Sequence, residues 1–240
     1  IDSKKGERPS IYLTNALTGW RPPIGPKATL PLFPELEQER DQAEHVKQRV
    51  PILVVIGNPP YNAFAGTSPE EEDALVEPYK EGLIRTWGIS KFNLDDLYVR
   101  FFRIAERRIA ETGRGVVSYI SNYSYTREPS YVVMRQSLLQ NFDKFWIGNM
   151  HGDRNKSEYA PDGRTSETIF AIRGFSPGIR QGVVVGLAVK TGRPNETKVV
   201  RYRDDINAAK AEERRQQLIE SLGVKPFDDQ YKIANPQPWN

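Results

Sequence analysis

An apolar strand that stops at two consecutive prolines is the strongest constraint in this 240-residue sequence. Ile52–Ile56 is a run of apolar residues, typical of a buried strand, and the stretch Gly57–Tyr61, which reads GNPPY, follows it directly. Because proline has no backbone N–H to donate to a neighbouring strand, the strand has to end here. Asn58 and Tyr61 are therefore expected on a stiff turn at the carboxyl end of a strand, where ligands bind in open α/β sheets.

Strands and helices alternate after this turn. The clearest helix begins near Asn93 or Asp95 and ends at Gly113, and a second apolar strand follows at Val116–Ser121. The order strand, helix, glycine turn, strand is typical of a βαβ unit and favours a parallel sheet. The remaining predicted elements are helices at Glu35–Arg49, Ser130–Phe142 and Ile206–Gly223, strands at Ile11–Thr14, Lys144–Met150, Val183–Val189 and Lys198–Tyr202, and an antiparallel late strand at Glu167–Gly174.

The composition excludes several classes of site. The chain has no cysteine, which removes disulfides, iron–sulfur clusters and zinc–thiolate sites and fits a cytoplasmic protein. Its histidines, His45 and His151, form no convincing ligand cluster, so no metal is predicted. No apolar run is long enough for a membrane span, and a net charge of +3 permits nucleic-acid binding without arguing for it. A chain that opens on Ile1 and closes in proline-rich sequence is expected to be a piece of a longer polypeptide.

The Asn-Pro-Pro-Tyr turn suits one kind of chemistry. The carboxamide oxygen of Asn58 and the carbonyl oxygen of Pro59 point outward, because Pro60 fixes the local dihedral angles. Two acceptors held a few ångströms apart can receive both hydrogens of a planar NH2 group, which makes the nitrogen a better nucleophile. The ring of Tyr61 offers a face for stacking on the flat molecule that carries the amine. Such an amine could attack an electrophilic methyl group without a metal or a strong base.

These residues resemble a known family. VVIGNPPY is similar to the catalytic motif of γ-class N6-adenine DNA methyltransferases, which use S-adenosylmethionine. The segments IYLTNAL and GNPPYN, with a proline-rich loop and a charged helix between them, more narrowly resemble the methyltransferase region of type ISP restriction–modification enzymes. The resemblance covers Pro9–Arg203. Downstream features of the class are matched in order by Leu97-Tyr98, Gly113–Gly115, Ser121-Asn122 and Arg135 to Leu139.

The resemblance implies a fold and a domain organisation. It predicts a Rossmann-like class I S-adenosylmethionine-dependent methyltransferase fold, an α/β fold with a mostly parallel sheet and an antiparallel late strand. The glycine-rich cofactor motif and the acid that grips the ribose are not found here, so the N-terminal part of the fold is expected to lie upstream. Residues 1–205 would then be the catalytic domain, with an insertion loop at 18–50. Residues 206–240 would be a helical linker toward a target-recognition region.

The resemblance also implies site residues and partners. The partners would be double-stranded DNA with a flipped adenine and other regions of the parent polypeptide: a helicase-like ATPase, a nuclease and a target-recognition domain. No membrane is implied. The implied assignments are the catalytic Asn58, Pro59, Pro60 and Tyr61, the substrate-binding Tyr61, Tyr159 and Asn122, and the cofactor-binding Asn15 and Asn58. Within this set Tyr61 stacks on the base, and Tyr159 is the aromatic expected to close over it.

Other interpretations remain open at this stage. The same two-acceptor turn could serve the amide of a protein glutamine, or the chain could be a structural or DNA-docking fragment without turnover. The simplest expectation for the remaining polar residues is a solvated surface. It applies to His151 in a polar loop, to the arginines of the clearest helix (Arg100, Arg103 and Arg107), and to the pair Arg214-Arg215 near the end of the chain.

Overall fold

The computed structural model describes residues 11–21, 25, 33–61, 72, 74–224 and 226–235. The chain divides into two compact units, and each is described by itself. The smaller unit contains the described residues up to Pro51 together with Glu72, and the larger contains residues 52–61 and those described from Ala74 onward. Over these described ranges, no helix combines the length and the apolar character that crossing a membrane requires.

A six-stranded sheet forms the larger unit. Its strands are β1 (Val54–Gly57), β2 (Gly115–Asn122), β3 (Lys144–Asn149), β4 (Val183–Lys190), β5 (Val199–Arg203) and β6 (Lys232–Ala234). Their order across the sheet is β1-β2-β4-β3-β5-β6. β1 and β2 pair in parallel, as do β3 and β5, whereas β4 lies antiparallel between β2 and β3, and β6 lies antiparallel to β5. Four strands thus share one direction, and the predicted α/β fold with a reversed late strand is confirmed.

The position of the reversed strand differs from the prediction. The reversed strand is β4, in register with β2 so that Val117 faces Ala188. The predicted strand Glu167–Gly174 is wrong, because its backbone enters a local turn. The backbone N–H of Ile172 donates to the carbonyl of Ser176, four residues later, at 2.8 Å. A backbone that closes a local turn has no groups left for a neighbouring strand, and the segment becomes part of the long loop between β3 and β4.

Helices connect the strands of the larger unit. They are α2 (Glu77–Lys80), α3 (Leu97–Thr112), α4 (Ser124–Arg127), α5 (Val132–Asn141) and α6 (Ala211–Ser221), with short 3₁₀ turns at Pro129–Tyr131, Arg154–Lys156 and Phe227–Gln230. α3 ends at Gly113, whose φ of 81° is left-handed and whose N–H donates to Ile109 at 3.0 Å. At Gly115 a Cβ would lie 2.5 Å from the carbonyl oxygen of Leu53, so glycine lets β2 begin beside β1.

A buried carboxylate joins the helices that cover one side of the sheet. Glu106 of α3 is 1% exposed. Its two oxygens accept hydrogen bonds from the Tyr79 hydroxyl at 2.7 Å, Arg103 Nη1 at 2.7 Å, the Ser137 hydroxyl at 2.6 Å and Asn141 Nδ2 at 2.8 Å. With four donors the carboxylate is well satisfied, and it ties α2 and α5 to α3.

The prediction of a solvated arginine face on α3 is wrong at two positions. Arg100 is buried, and Arg103 is engaged with Glu106. The arginine face of α3 was assigned to solvent from the helical spacing of its residues alone. In the structure α2 and α5 pack beside α3 and contribute Tyr79, Ser137 and Asn141 as partners of Glu106. Neighbouring helices that are distant in sequence therefore decide which arginines reach water.

The smaller unit is built on helix α1 (Pro34–Arg49), which confirms the predicted charged helix. Lys47 is buried, and its ammonium group donates to Thr14 Oγ1 at 2.8 Å, to the Asn15 carbonyl at 2.6 Å and to the Thr18 carbonyl at 2.9 Å. Residues 11–15 are irregular, so the predicted strand at Ile11–Thr14 is wrong. The buried lysine holds this irregular segment through the Thr14 hydroxyl and the Asn15 carbonyl.

Candidate active site

The turn that the sequence predicts lies where it was expected, at the carboxyl end of β1. The strand ends at Gly57, and residues 58–61 follow without regular structure. Asn58 and Pro60 are exposed, whereas Pro59 is buried. Among the described residues, none forms a hydrogen bond with the Asn58 carboxamide, so this group is open to a ligand. A Cβ at Gly57 would lie 3.4 Å from the ring of Tyr119, which favours a small residue just before the turn.

The structure pairs Tyr61 with an aromatic residue that the sequence did not single out. The rings of Tyr61 and Phe170 meet edge to face, with centroids 6.1 Å apart and an interplanar angle of 69°. Phe170 lies in the long loop before β4 and packs against the buried cluster of Met150, Val183 and Ile206. The aromatic pair therefore stands on the core of the unit. Phe170 was missed because it falls within the segment that was predicted to be a strand.

Tyr159 occupies a different place in the same loop. Its side chain is 64% exposed, and its backbone forms an isolated bridge with Thr165. The structure brings Phe170, rather than Tyr159, into ring contact with Tyr61. Exposed aromatic side chains are adaptable contacts, whereas a ring anchored in the core presents a fixed surface to a flat ligand. The assignment of Tyr159 to the substrate stays a prediction, and Phe170 is a second aromatic candidate in the same loop.

The hydroxyl of Tyr61 is buried and has no hydrogen-bond partner among the described residues. Burial raises the pKa of this phenol far above its ordinary value, so the hydroxyl is neutral at physiological pH. An unpaired buried polar atom costs free energy unless something binds it. The Asn58 carboxamide, by contrast, is exposed and accessible to a polar ligand at the end of β1.

Substitutions at Tyr61 should separate the contribution of its hydroxyl to stability from that of its ring. Tyr61→Phe removes only the unpaired hydroxyl, so we expect the free energy of unfolding to stay equal or rise by up to about 1 kcal/mol. Tyr61→Ala also removes the edge-to-face contact with Phe170, which is worth about 0.5–1.5 kcal/mol beyond its buried area. Urea denaturation of both variants measures the difference. A clear loss of stability in Tyr61→Phe would show that the hydroxyl has a partner in solution.

Asparagines at the ends of β2 and β3 each close the turn that follows the strand. The Asn122 carboxamide oxygen at the end of β2 accepts from the backbone N–H of Ser124 at 2.9 Å, and that of Asn149 at the end of β3 accepts from His151 at 2.9 Å. A side chain that binds the backbone two residues ahead closes a turn. Asn122 is nearly buried, and its carbonyl oxygen is already engaged. Any contact with substrate would use the remaining NH2 group.

Asn15, assigned to the cofactor by resemblance, belongs to the smaller unit. It is exposed, and its carboxamide oxygen accepts from the backbone N–H of Leu17 at 2.9 Å. Its backbone carbonyl accepts from the buried Lys47, as described above. The side chain thus closes a local turn, and its assignment to the cofactor stays a prediction.

His151 is built into the loop rather than simply solvated. Its Nδ1 lies 2.7 Å from Glu158 Oε1, and its Nε2 lies 2.9 Å from the carbonyl oxygen of Asp204. Both ring nitrogens therefore face an oxygen acceptor. The second oxygen of Glu158 accepts from the backbone N–H of Asp153 at 2.8 Å. The expectation of a merely exposed histidine is therefore wrong, because this side chain connects the start of the loop to the end of β5.

This network should make the stability of the larger unit pH-dependent. Burial acts to raise the pKa of the Glu158 carboxyl, but the hydrogen bonds from His151 and from the backbone of Asp153 outweigh burial and lower the pKa below its ordinary 4.5. Because the folded-state pKa is the lower one, the stabilisation is present above the unfolded-state value of 4.5 and is lost as the pH falls through the folded-state value.

We therefore expect the free energy of unfolding to decrease below pH 4.5, and to decrease less in Glu158→Gln, which cannot titrate. Denaturant titrations at neutral pH and at a series of acidic pH values measure the slope of the free energy of unfolding against pH for both proteins. Glu111→Gln, which changes an exposed carboxyl on α3, is the matched control and should keep the wild-type slope. Equal slopes in wild type and Glu158→Gln would contradict the network.

Helix α6 holds the loop that carries Phe170. Arg214 is 0% exposed, and its guanidinium group donates to the carbonyl of Met150 at 2.6 Å and to the Ser166 hydroxyl at 2.7 Å. Arg215 Nη1 donates to the carbonyls of Ile169 at 2.7 Å and Ala171 at 3.1 Å. The prediction that these arginines are a solvated pair is wrong. Both groups are bound to the backbone or side chains of the loop.

The described residues also limit which cofactors could bind. No group of three or more His, Cys, Asp or Glu side chains that could hold a metal is found in the described part of the chain. β1 is an edge strand of the described sheet, with Val54 63% and Ile56 79% exposed. Asn58 at the end of this edge fits one contact to a bound cofactor.

No protein-family model matches this chain, and no curated protein matches it in sequence. Solved structures do match. The chain is similar to a nuclease-deletion mutant of the Type ISP restriction–modification enzyme LlaGI in complex with a DNA substrate mimic (TM-score 0.63, 22% identity, 85% of this chain and 16% of that one). It is also similar to the ATP-dependent Type ISP enzyme LlaBIII bound to DNA (0.63, 21%, 85% and 13%) and to DrdV in a DNA complex solved by cryo-electron microscopy (0.60, 23%, 83% and 18%).

At these identities the matches show a shared fold. This chain spans less than a fifth of the length of each matched protein. Two of the matched structures are Type ISP restriction–modification enzymes. The chain has the Rossmann-like α/β fold of a region within large restriction–modification enzymes.

Proposed function

We propose that this chain is the catalytic part of a DNA methyltransferase region within a restriction–modification enzyme, and that it methylates adenine at N6 with S-adenosylmethionine. The observation that carries the proposal is the open Asn58 carboxamide beside the Tyr61–Phe170 pair at the end of β1. It joins an acceptor for an amine to two rings that can receive a flat base. The similarity in fold to enzymes solved with DNA supports the choice of DNA as substrate.

The residues of this chain would bind and orient the base. Asn58 Oδ1 and the carbonyl of Pro59 accept the two hydrogens of the exocyclic amine, and Pro60 keeps these acceptors in place. Tyr61 stacks on the adenine after it leaves the duplex, since a base inside the helix cannot reach a pocket. Phe170 provides the second ring. S-adenosylmethionine, when bound, supplies an electrophilic methyl group. The new N–C bond would replace the S–C bond of the sulfonium, which would leave as the neutral thioether, and the extra proton of the amine would pass to solvent.

The cofactor would need residues beyond those described around Asn58. The exposed apolar edge of β1 is where further strands of a Rossmann-like sheet would pair, and we propose that an upstream region of the parent completes the cofactor pocket there. Calorimetry of the 240-residue chain with S-adenosylmethionine tests this directly. Absence of binding is expected, and tight binding would show that the chain already holds a complete pocket.

The parent polypeptide would supply the remaining functions. We propose a helicase-like ATPase, a nuclease and a target-recognition region as its other parts, in a cytoplasmic enzyme. This follows from the resemblance and from the length of the matched proteins, of which this chain spans 13–18%. The residues assigned to the recognition of a specific DNA sequence would lie outside this chain.

The parent enzyme provides the decisive experiment. It is incubated with duplex DNA and cofactor labelled at the methyl group, and the DNA is then digested to nucleosides. We expect the label in N6-methyl-2′-deoxyadenosine. Label in a protein fraction instead would favour glutamine methylation, the alternative that uses the same acceptors on a planar amide. Full methylation of DNA by a Tyr61→Ala parent would indicate that this turn docks DNA or stabilises structure without taking part in the chemistry.

A further inference from the structure

Arg215 contacts the loop on both sides of Phe170. One nitrogen of its guanidinium group, Nη1, donates to the carbonyl of the preceding residue, Ile169, at 2.7 Å and to that of the following residue, Ala171, at 3.1 Å. A single planar group that binds both flanking carbonyls fixes the direction of the backbone at Phe170. The side chain between them can then move only about its own side-chain dihedral angles.

The helix that carries Arg215 is itself fixed to the loop by other contacts. Glu167 accepts from Lys210 Nζ at 2.7 Å and from the backbone N–H of Ala211 at 3.1 Å, at the first turn of α6. Arg214 is fully buried against Met150 and Ser166, as described above. These contacts hold α6 in place without Arg215. Arg215 is only half-buried, so its loss should leave the helix docked while freeing the backbone around Phe170.

We propose that Arg215 is a positioning residue that holds the ring of Phe170 in the place where it receives the target base. This inference rests on the proposed function. An aromatic ring contributes its full stacking energy only when it already has the right orientation, because ordering a free loop costs entropy. A shift of about 1 Å in such a group can lower a rate about 100-fold.

A double-mutant cycle in the parent enzyme tests whether Arg215 acts through Phe170. Arg215→Ala is expected to lower kcat about 10-fold or more, within the range for misplaced positioning groups. In a Phe170→Ala background the same change should have no further effect, because nothing remains to be positioned. Independent, multiplicative losses in the two backgrounds would overturn the proposal. 2-Aminopurine at the target position should report weaker capture of the flipped base in Arg215→Ala.

Two further variants separate position from charge and from folding. Arg215→Lys keeps the charge but loses the planar group, so it should resemble Arg215→Ala in kcat. Gln216→Ala changes the exposed neighbour on the same helix and should leave kcat unchanged. Hydrogen exchange on the 240-residue chain should show faster exchange at residues 168–172 in Arg215→Ala and unchanged exchange in β2 and β4.

The exchange measurement also distinguishes failure of this inference from failure of the proposed function. If the parent enzyme methylates no DNA, the proposed function fails, whatever the loop does. If the wild-type parent is active but exchange around Phe170 is the same in wild type and Arg215→Ala, the positioning role is overturned and the proposed function stands.

Discussion

Replacing Asn58 by alanine in the parent enzyme is expected to lower the rate of methyl transfer to DNA by at least about 100-fold, the usual cost of removing one hydrogen-bonding group that acts on the reacting atoms. The carboxamide oxygen is the side-chain acceptor for the amine in the proposed reaction. Without it the nitrogen keeps its lone pair conjugated with the ring and is a poor nucleophile. Single-turnover incorporation of a labelled methyl group measures the loss in the chemical step.

The fold should not change in this variant. Asn58 is exposed and makes no hydrogen bond with any described residue, so the free energy of unfolding should stay within about 0.5 kcal/mol of wild type. Asn155→Ala, at another exposed asparagine in a turn, is the matched control and should retain full transfer. If Asn58→Ala retains wild-type transfer, Asn58 does not bind the reacting amine.

Replacing Glu106 by alanine should cause the largest loss of stability, about 3–5 kcal/mol, as found when one partner of a buried charge pair is removed. The change leaves the fully buried Tyr79 hydroxyl without its acceptor and removes the ion-pair partner of the half-buried Arg103. It also leaves a small cavity between α3 and α5. Equilibrium denaturation of the 240-residue chain measures this difference.

Two variants interpret that loss. Glu106→Gln keeps the volume and one acceptor oxygen, so its cost should lie between those of wild type and Glu106→Ala. Glu111→Ala, at an exposed glutamate that pairs with Arg108 on the same helix, should change stability by less than about 0.5 kcal/mol. If the two alanine variants lose similar amounts, the buried cluster is not an anchor of the fold.

The elements that local chemistry determines could be predicted from the sequence. The end of β1 was predicted because two prolines cannot continue a sheet, and the end of α3 because a left-handed residue is needed at Gly113. The reversed strand was placed wrongly because Glu167–Gly174 and β4 are both apolar. Only the local hydrogen bonds around Ile172 distinguish a turn from a strand there.

The contacts of α6 could not be predicted in the same way. Arg214 bonds to the carbonyl of Met150, 64 residues earlier in the chain. Most of its partners, like both partners of Arg215, are backbone carbonyls, which every residue has, so no sequence pattern marks them. The role of Phe170 could not be predicted either, because its ring contacts Tyr61, which lies in a turn far away in the sequence. From sequence alone, a polar helix with adjacent arginines is predicted to be solvated. In the structure both guanidinium groups donate hydrogen bonds within the protein.

The two edges of the sheet differ in how well they resist aggregation. β6 is three residues long and begins with Lys232, and a short, charged edge discourages the addition of another strand. β1 has the opposite character, with exposed valine and isoleucine side chains and, among the described strands, a partner on one side only. Wherever this edge stays unpaired, a second copy of the chain can add a strand to it. Protein concentration thus becomes a variable in any measurement of its stability or binding.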